Sequence, residues 1–178
     1  KSREYAEYAK SLGLFVGINM MKSYAVKSYE FSKIAAEIDS WNIAEVIYLV
    51  DSAGCMTPDE VNDYLYKTSE QCKTALGFHG HNNLSMAAIN TIQAVKSGAT
   101  YLDTCIRGMG RSAGNAQTEI VILLLQKLGF YKHIDIYDLY DLANNVVVPI
   151  MPRPQGMTDD EIHIGLSKFH SSYMPFVK

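Results

Sequence analysis

The chain has 178 residues, 48% of them apolar, and a formal net charge of -3, enough to bury one sizeable core and little more than one domain. Its pI near 5.9 and scattered acids give no basic footprint for nucleic acid and leave small neutral or anionic substrates open. No apolar run approaches bilayer length, the N-terminus lacks an export-signal pattern, and the odd count of three cysteines points to a reducing compartment, so a cytoplasmic protein with no membrane contact is expected.

Taken in chain order, short β-branched or aromatic runs alternate with longer segments of helical spacing, the rhythm of successive βα units. A helix over residues 2–12 stops at Gly13, a C-cap glycine, and a first strand is predicted over 14–21. The next helix, about 26–40, places Phe31, Ile34, Ala35 and Ile38 on one face, and a second strand follows over 45–51. Thr57, Pro58, Asp59 and Glu60 open a third helix with a capping residue, a first-turn proline and acids at the positive dipole end, predicted to run to about 74. Strands over 76–81 and 102–107 and helices over 85–97, 117–128 and 136–144 complete four βα units. After residue 146 the pattern breaks at Pro149, Pro152 and Pro154, and a helical piece over 159–173 reads as an appended tail, dividing the chain into 1–148 and 149–178.

In parallel α/β folds the C-terminal strand ends and the loops after them face the active site. Four such ends stand out: Asn19-Met-Met21, Asp51-Ser-Ala-Gly54, His79-Gly-His-Asn-Asn83, and the glycine-rich stretch from Arg107 to Asn115. Because side chains alternate across a strand, His79 and His81 point to the same side and can present two imidazoles to one cation, while Gly80 permits close packing on the other face. A bare His-x-His is as often structural, and carboxylate or carbonyl ligands would have to complete the shell. Asn115 is a candidate amide-oxygen ligand or, equally, a helix cap. Arg111 is a candidate for a carboxylate or phosphate, or a solvated loop residue; the loop amides before the helix at 117 bind an anion, or the glycines only satisfy backbone geometry. Asp51 and Ser52 end an apolar strand, where Ser52 either contacts a substrate carboxylate or helps shape the turn. Cys105 reads as a packed residue and His133 as part of a solvated connection.

The order and spacing of Asp51-Ser-Ala-Gly54, His79-Gly-His-Asn-Asn-Leu-Ser85 and Gly108-Met-Gly-Arg-Ser-Ala-Gly-Asn-Ala116, with Glu119, resemble the DRE-TIM metallolyase, or pyruvate carboxyltransferase-like, superfamily. Its His-x-His-x-Asn-Leu-Ser form and the tail Ile164-Gly-Leu-Ser-Lys-Phe-His-Ser-Ser-Tyr173 are most similar to the 4-hydroxy-2-oxovalerate aldolases, with His170 standing where they carry a tyrosine. The resemblance implies an α/β fold, the second half of a (β/α)₈ TIM barrel with a short C-terminal helical tail. It implies a divalent-metal-dependent cleavage of a 4-hydroxy-2-oxo acid to pyruvate and an aldehyde. His79, His81 and Asn115 would be metal ligands, Ser52 and Arg111 substrate contacts, and Mn²⁺ or Mg²⁺ the cofactor. The family's first strand, with its Asp-Arg-Glu motif, is absent, so a metal-binding aspartate, an enolate-stabilising arginine and a histidine base are expected from a missing N-terminal half, and the chain is expected to be a fragment or a subunit of a split barrel. A small-molecule 2-oxo acid, an acylating aldehyde dehydrogenase and further copies in a homo-oligomer are the expected partners. An acyl-CoA-condensing synthase of the isopropylmalate or homocitrate type, or a non-catalytic half-barrel, are the alternatives.

Overall fold

The four apolar runs pair side by side as one parallel sheet, in the order β1-β2-β3-β4. A computed structural model describes residues 1–177. Its strands are β1 Gly17–Met20, β2 Val46–Asp51, β3 Ala75–Gly80 and β4 Tyr101–Asp103. The connecting helices are α1 Ser2–Ser11, α2 Ser28–Ser40, α3 Pro58–Ser69, α4 Ala87–Lys96 and α5 Thr118–Lys127, followed by α6 Ile136–Leu142, α7 Asp159–Ser167 and α8 Met174–Val177. Sequential order with helical crossovers is the arrangement expected of consecutive βα units of a barrel.

Register assigns each residue a face. Tyr48 pairs with Gly77, Gly77 with Tyr101, and His79 with both Val50 and Asp103. These residues therefore share the concave side. Ile47, Leu49, Leu76 and Phe78 lie on the opposite side, where they pack with Phe31, Ala35, Ile38, Val61 and Leu65 of α2 and α3 as the main core. Fully burying such side chains contributes about 1.5–3 kcal/mol each. Ile34, predicted on the buried face of α2, is 44% exposed, because it lies on the margin of the stripe that Phe31, Ala35 and Ile38 define. Helix α3 starts where its sequence dictates: the Thr57 hydroxyl accepts from the Glu60 amide, and the Glu60 carboxylate accepts from Thr57 N.

Several predicted elements are shorter in the structure: β1 spans Gly17–Met20 rather than 14–21, and α7 ends at Ser167 rather than 173. Helix α3 ends at Ser69 rather than about 74, since residues 70–74 turn back toward β3, where Asp39 accepts from the amides of Lys73 and Thr74. β4 ends at Asp103 rather than 107. Arg107 adopts a left-handed φ of 56° inside a 3₁₀ turn over Ile106–Gly108, a conformation that no strand continues through. The tail packs by way of Gly165, where a Cβ would sit 2.6 Å from Leu84 Cγ; the Met157 sulfur also accepts from the Ser85 hydroxyl. Among the described residues no helix is long and apolar enough to cross a membrane.

Candidate metal centre at the C-terminal strand ends

β3 delivers the two histidines. His79 is half-buried on the concave face, and His81, one residue past the strand, is buried, with ring centroids 5.3 Å apart. The glycine between them faces the other way, where a Cβ would lie 2.8 Å from the Phe78 ring and 3.7 Å from Ala87 of α4. Close helix–strand packing therefore requires glycine at position 80.

Each ring has a defined neighbour. His79 Nδ1 lies 3.1 Å from the Asp103 carboxylate, and Asp103 also takes a hydrogen bond from Tyr48, contributing to a tyrosine pKa of about 12 whose main cause is burial. A carboxylate on Nδ1 leaves Nε2 with the lone pair, the usual supporting arrangement for a ligating histidine. His81 is held neutral, its pKa lowered to about 4 by burial first and then by His79 and Arg111. Its Nε2 lies 3.3 Å from Arg111 Nη2. A guanidinium can only donate, so Nε2 carries the lone pair and accepts from Arg111, which would have to give way for a cation to bind there.

Asn115 is brought to the same place by an isolated antiparallel bridge with His81. Its Nδ2 donates to Cys105 Sγ and to the Met109 carbonyl, whereas its Oδ1 is buried without a hydrogen-bond partner. The capping role is excluded, because the residue at the cap of α5 is Gln117. Gly110 makes the placement possible: a Cβ there would approach Asn115 Nδ2 to 2.5 Å. Two imidazoles and an orphaned amide oxygen, carried by the end of β3 and the segment bridged to it, are donor types that suit an oxygen- and nitrogen-binding divalent cation. Among the described residues no three His, Cys, Asp or Glu side chains gather into a ligand set. Within this chain the candidate donors are the two histidines and the amide.

The other candidates divide. Asp51 is on the helix-facing side and fully buried; its carboxylate accepts from the Cys55 and Met56 amides at 3.1 and 2.9 Å. Burial raises its pKa despite those bonds. Its role is to close the turn after β2. The Ser52 hydroxyl accepts from Lys22 N at 3.0 Å, which ties the β1 and β2 loops together at the rim. In the loop after β4, the amides of Gly108, Met109, Gly114 and Asn115 all bond to carbonyls of the same segment, so they are engaged in turns rather than presented to an anion. Gly108 (φ +64°) and Gly114 (φ +89°) answer backbone geometry, a Cβ on Gly114 lying 2.1 Å from the Gly108 carbonyl oxygen. Cys105 packs against Asn115, and His133 is exposed.

Two functional neighbours escaped the reading of the motifs. Asp103 has a signal in hindsight: it is the residue of β4 in register with His79 and on the same face. Glu119, quoted only within the signature, is buried and accepts from the Arg107 amide at 3.1 and 3.2 Å, while the Arg107 guanidinium lies 3.6 Å away. It holds the start of the glycine-rich loop.

Comparison with known proteins bears on this arrangement. A 4-hydroxy-2-oxovalerate aldolase of Geobacillus stearothermophilus is 39% identical over 176 residues, covering 97% of this chain and 50% of that protein. One from Bacillus thuringiensis is 35% identical over 173 residues with the same coverage. The chain thus spans about half the length of the curated relatives it matches. Among solved structures, the N-terminal domain of a Bacteroides vulgatus protein assigned as an aldolase superposes with a TM-score of 0.85 at 30% identity, covering 99% of this chain and 58% of that one. The HMG-CoA lyase of Brucella melitensis, at 19% identity and a TM-score of 0.70 over 85% of this chain and 58% of its own, shows the fold alone. The HMGL-like family signature matches residues 1–146, the span that holds all four strands and both histidines, and the chain belongs to that family.

Proposed function

We propose that the protein carrying this chain is a divalent-metal-dependent aldolase that cleaves a 4-hydroxy-2-oxo acid to pyruvate and an aldehyde. The observation that carries the proposal is that His79, oriented by Asp103, neutral His81 and, on the segment bridged to it, the unpartnered Asn115 Oδ1 all stand at the C-terminal end of β3. His79, His81 and Asn115 would hold Mn²⁺ or Mg²⁺, with open positions left for substrate oxygens. Bound there, the cation would supply Lewis-acid polarisation of the 2-oxo group. In the retro-aldol step the 4-hydroxyl gives up its proton to a base, the C3–C4 bond breaks, and its electron pair remains on the pyruvate fragment, which takes a proton at C3. Arg111 donates at the same point and suits the substrate carboxylate. Ser52, at the opposite rim, is a second contact for that end.

Relatives at 35–39% identity bear this name, which favours this chemistry over acyl-CoA condensation. The base, the remaining carboxylate ligand, the acylating dehydrogenase partner, the oligomer and a cytoplasmic setting belong to the same proposal and rest on the resemblance. Calorimetric titration of Mn²⁺ into the full-length protein, its His79→Ala variant and its His81→Ala variant, followed by assay of pyruvate release from 4-hydroxy-2-oxopentanoate, tests it. Both variants are expected to lose measurable binding and release. Retention of metal binding in both would show the histidines to be structural.

A further inference from the structure

Arg111 stands where a cation on His81 would have to bind. Its Nη2 lies 3.3 Å from His81 Nε2, and because a guanidinium only donates, the lone pair of that nitrogen points at it. A lone pair serves one partner at a time, so the guanidinium and a divalent ion exclude each other at Nε2. The contact is not an ion pair. His81 is neutral, and the Arg111 charge is among the influences, after burial and His79, that keep it so. A positive group is thus set against a neutral donor of the candidate metal centre, an arrangement that metal ligation by itself does not call for.

The backbone on either side keeps the guanidinium in reach of that ring. Asn82 N donates to the Gly114 carbonyl and Gly114 N to the Arg111 carbonyl, at 2.9 Å each. The next residue, Ser112, has a left-handed φ of 57°. Its hydroxyl accepts from Asn83 Nδ2 at 3.0 Å, and its carbonyl accepts from Arg153 Nη2 at 2.6 Å. The segment that carries Arg111 is therefore tied to the loop that carries His81, and the guanidinium reaches or leaves Nε2 by rotation of its own side chain, a fast motion for an exposed residue. It has room to turn, since Arg111 lines a cleft of about 270 Å³ with Asp160, Glu161, Ser171 and Ser172.

Resting on the metal-dependent aldolase reading, we propose that Arg111 is a placeholder for the cation: it holds His81 Nε2 until a divalent ion displaces it, and the displaced guanidinium is then free to take the substrate carboxylate. Metal binding precedes substrate binding, because the ion releases the residue that recognises the acid. The consequence has a sign of its own. Loss of a ligand or of a structural residue weakens metal binding, whereas loss of a placeholder strengthens it.

The test is calorimetric titration of Mn²⁺ into the chelator-treated full-length protein, wild type against Arg111→Met, which keeps an unbranched stem and removes the donor. The variant is expected to bind Mn²⁺ about ten-fold more tightly, the scale of one net hydrogen bond to a charged group, and the loaded variant to bind pyruvate about ten-fold more weakly. Relief of charge repulsion would also tighten Mn²⁺ binding without any contact, so crystal structures of the full-length wild type in chelator and in Mn²⁺ accompany the titrations. Arg111 Nη2 within hydrogen-bond reach of His81 Nε2 in chelator, and away from it with the ion, upholds the proposal. The same position in both crystals, a guanidinium away from Nε2 in chelator, unchanged or weaker Mn²⁺ binding by the variant, or unchanged pyruvate affinity overturns it. A wild type that binds Mn²⁺ but releases no pyruvate from 4-hydroxy-2-oxopentanoate overturns the aldolase reading instead, and the affinities and crystals still decide Arg111. A wild type that binds no Mn²⁺ overturns both.

Discussion

At the scale of single residues, Asp103 shows how a side chain outside every motif sets the chemistry of one inside. Its carboxylate fixes which nitrogen of His79 carries the proton, and the Tyr48 hydroxyl steadies the carboxylate in turn. Asp103→Asn keeps the shape but presents an amide that satisfies either tautomer, so Mn²⁺ affinity should fall about 10–100-fold with little change in thermal midpoint. Calorimetry beside a melting curve separates the two effects, and unchanged affinity would refute the orienting role. His81 gives a second expectation, about pH. Its folded pKa, about 4, lies below the ordinary 6.5, so between those values the unfolded chain binds a proton that the fold refuses. Stability therefore declines as pH falls through that window, by up to about 3 kcal/mol. Urea denaturation in chelator at pH 7, 5.5 and 4.5 measures this, and His81→Asn should flatten the slope; an equal slope in the variant would assign the loss to other groups.

At the scale of elements, the sites of each strand and helix were legible because period-2 and period-3.6 patterns alternate cleanly, and the His-x-His placement at the end of β3 follows from alternation alone. Loop conformation was not legible. Lys22, Ser85, Arg107 and Ser112 all take positive φ, between 56° and 59°, and all lie in loops after strand ends, the face that carries the candidate site. None is a residue that announces such a conformation, and tertiary contacts impose it. Nor does a sequence show that Asp51 turns to the helices while Asn115 Oδ1 is left bare. Strand β3 carries a further requirement the pattern hid: a Cβ at Gly77 would stand 2.5 Å from the Tyr48 ring. The ring cannot yield without moving its hydroxyl off Asp103. Gly77→Ala is therefore expected to cost about 1–3 kcal/mol by overpacking and to weaken Mn²⁺ binding along with it, whereas a pure packing defect would leave affinity intact in the folded fraction.

At the scale of the whole molecule, the described sheet is open. β1 pairs only with β2, and β4 only with β3, so each outer strand offers a row of backbone donors and acceptors on one side. Four strands fall short of the eight whose tilt and stagger close a barrel of this type. The concave face between them is exposed and partly apolar: Phe15, just before β1, is 59% and Tyr101, in β4, 37% exposed, their rings 5.6 Å apart across that face. Parallel sheets are rarely stable with one face uncovered, and free edges template association. The 178-residue chain produced alone is thus expected to self-associate at micromolar concentration and to bind a hydrophobic dye, with both properties suppressed in the full-length protein. Sedimentation velocity over a concentration series reads the first and dye fluorescence the second. A monodisperse, dye-silent monomer would mean that the concave face and both edges find cover within the chain itself, and the candidate metal centre at the end of β3 would then have to bind its cation without a second half to complete it.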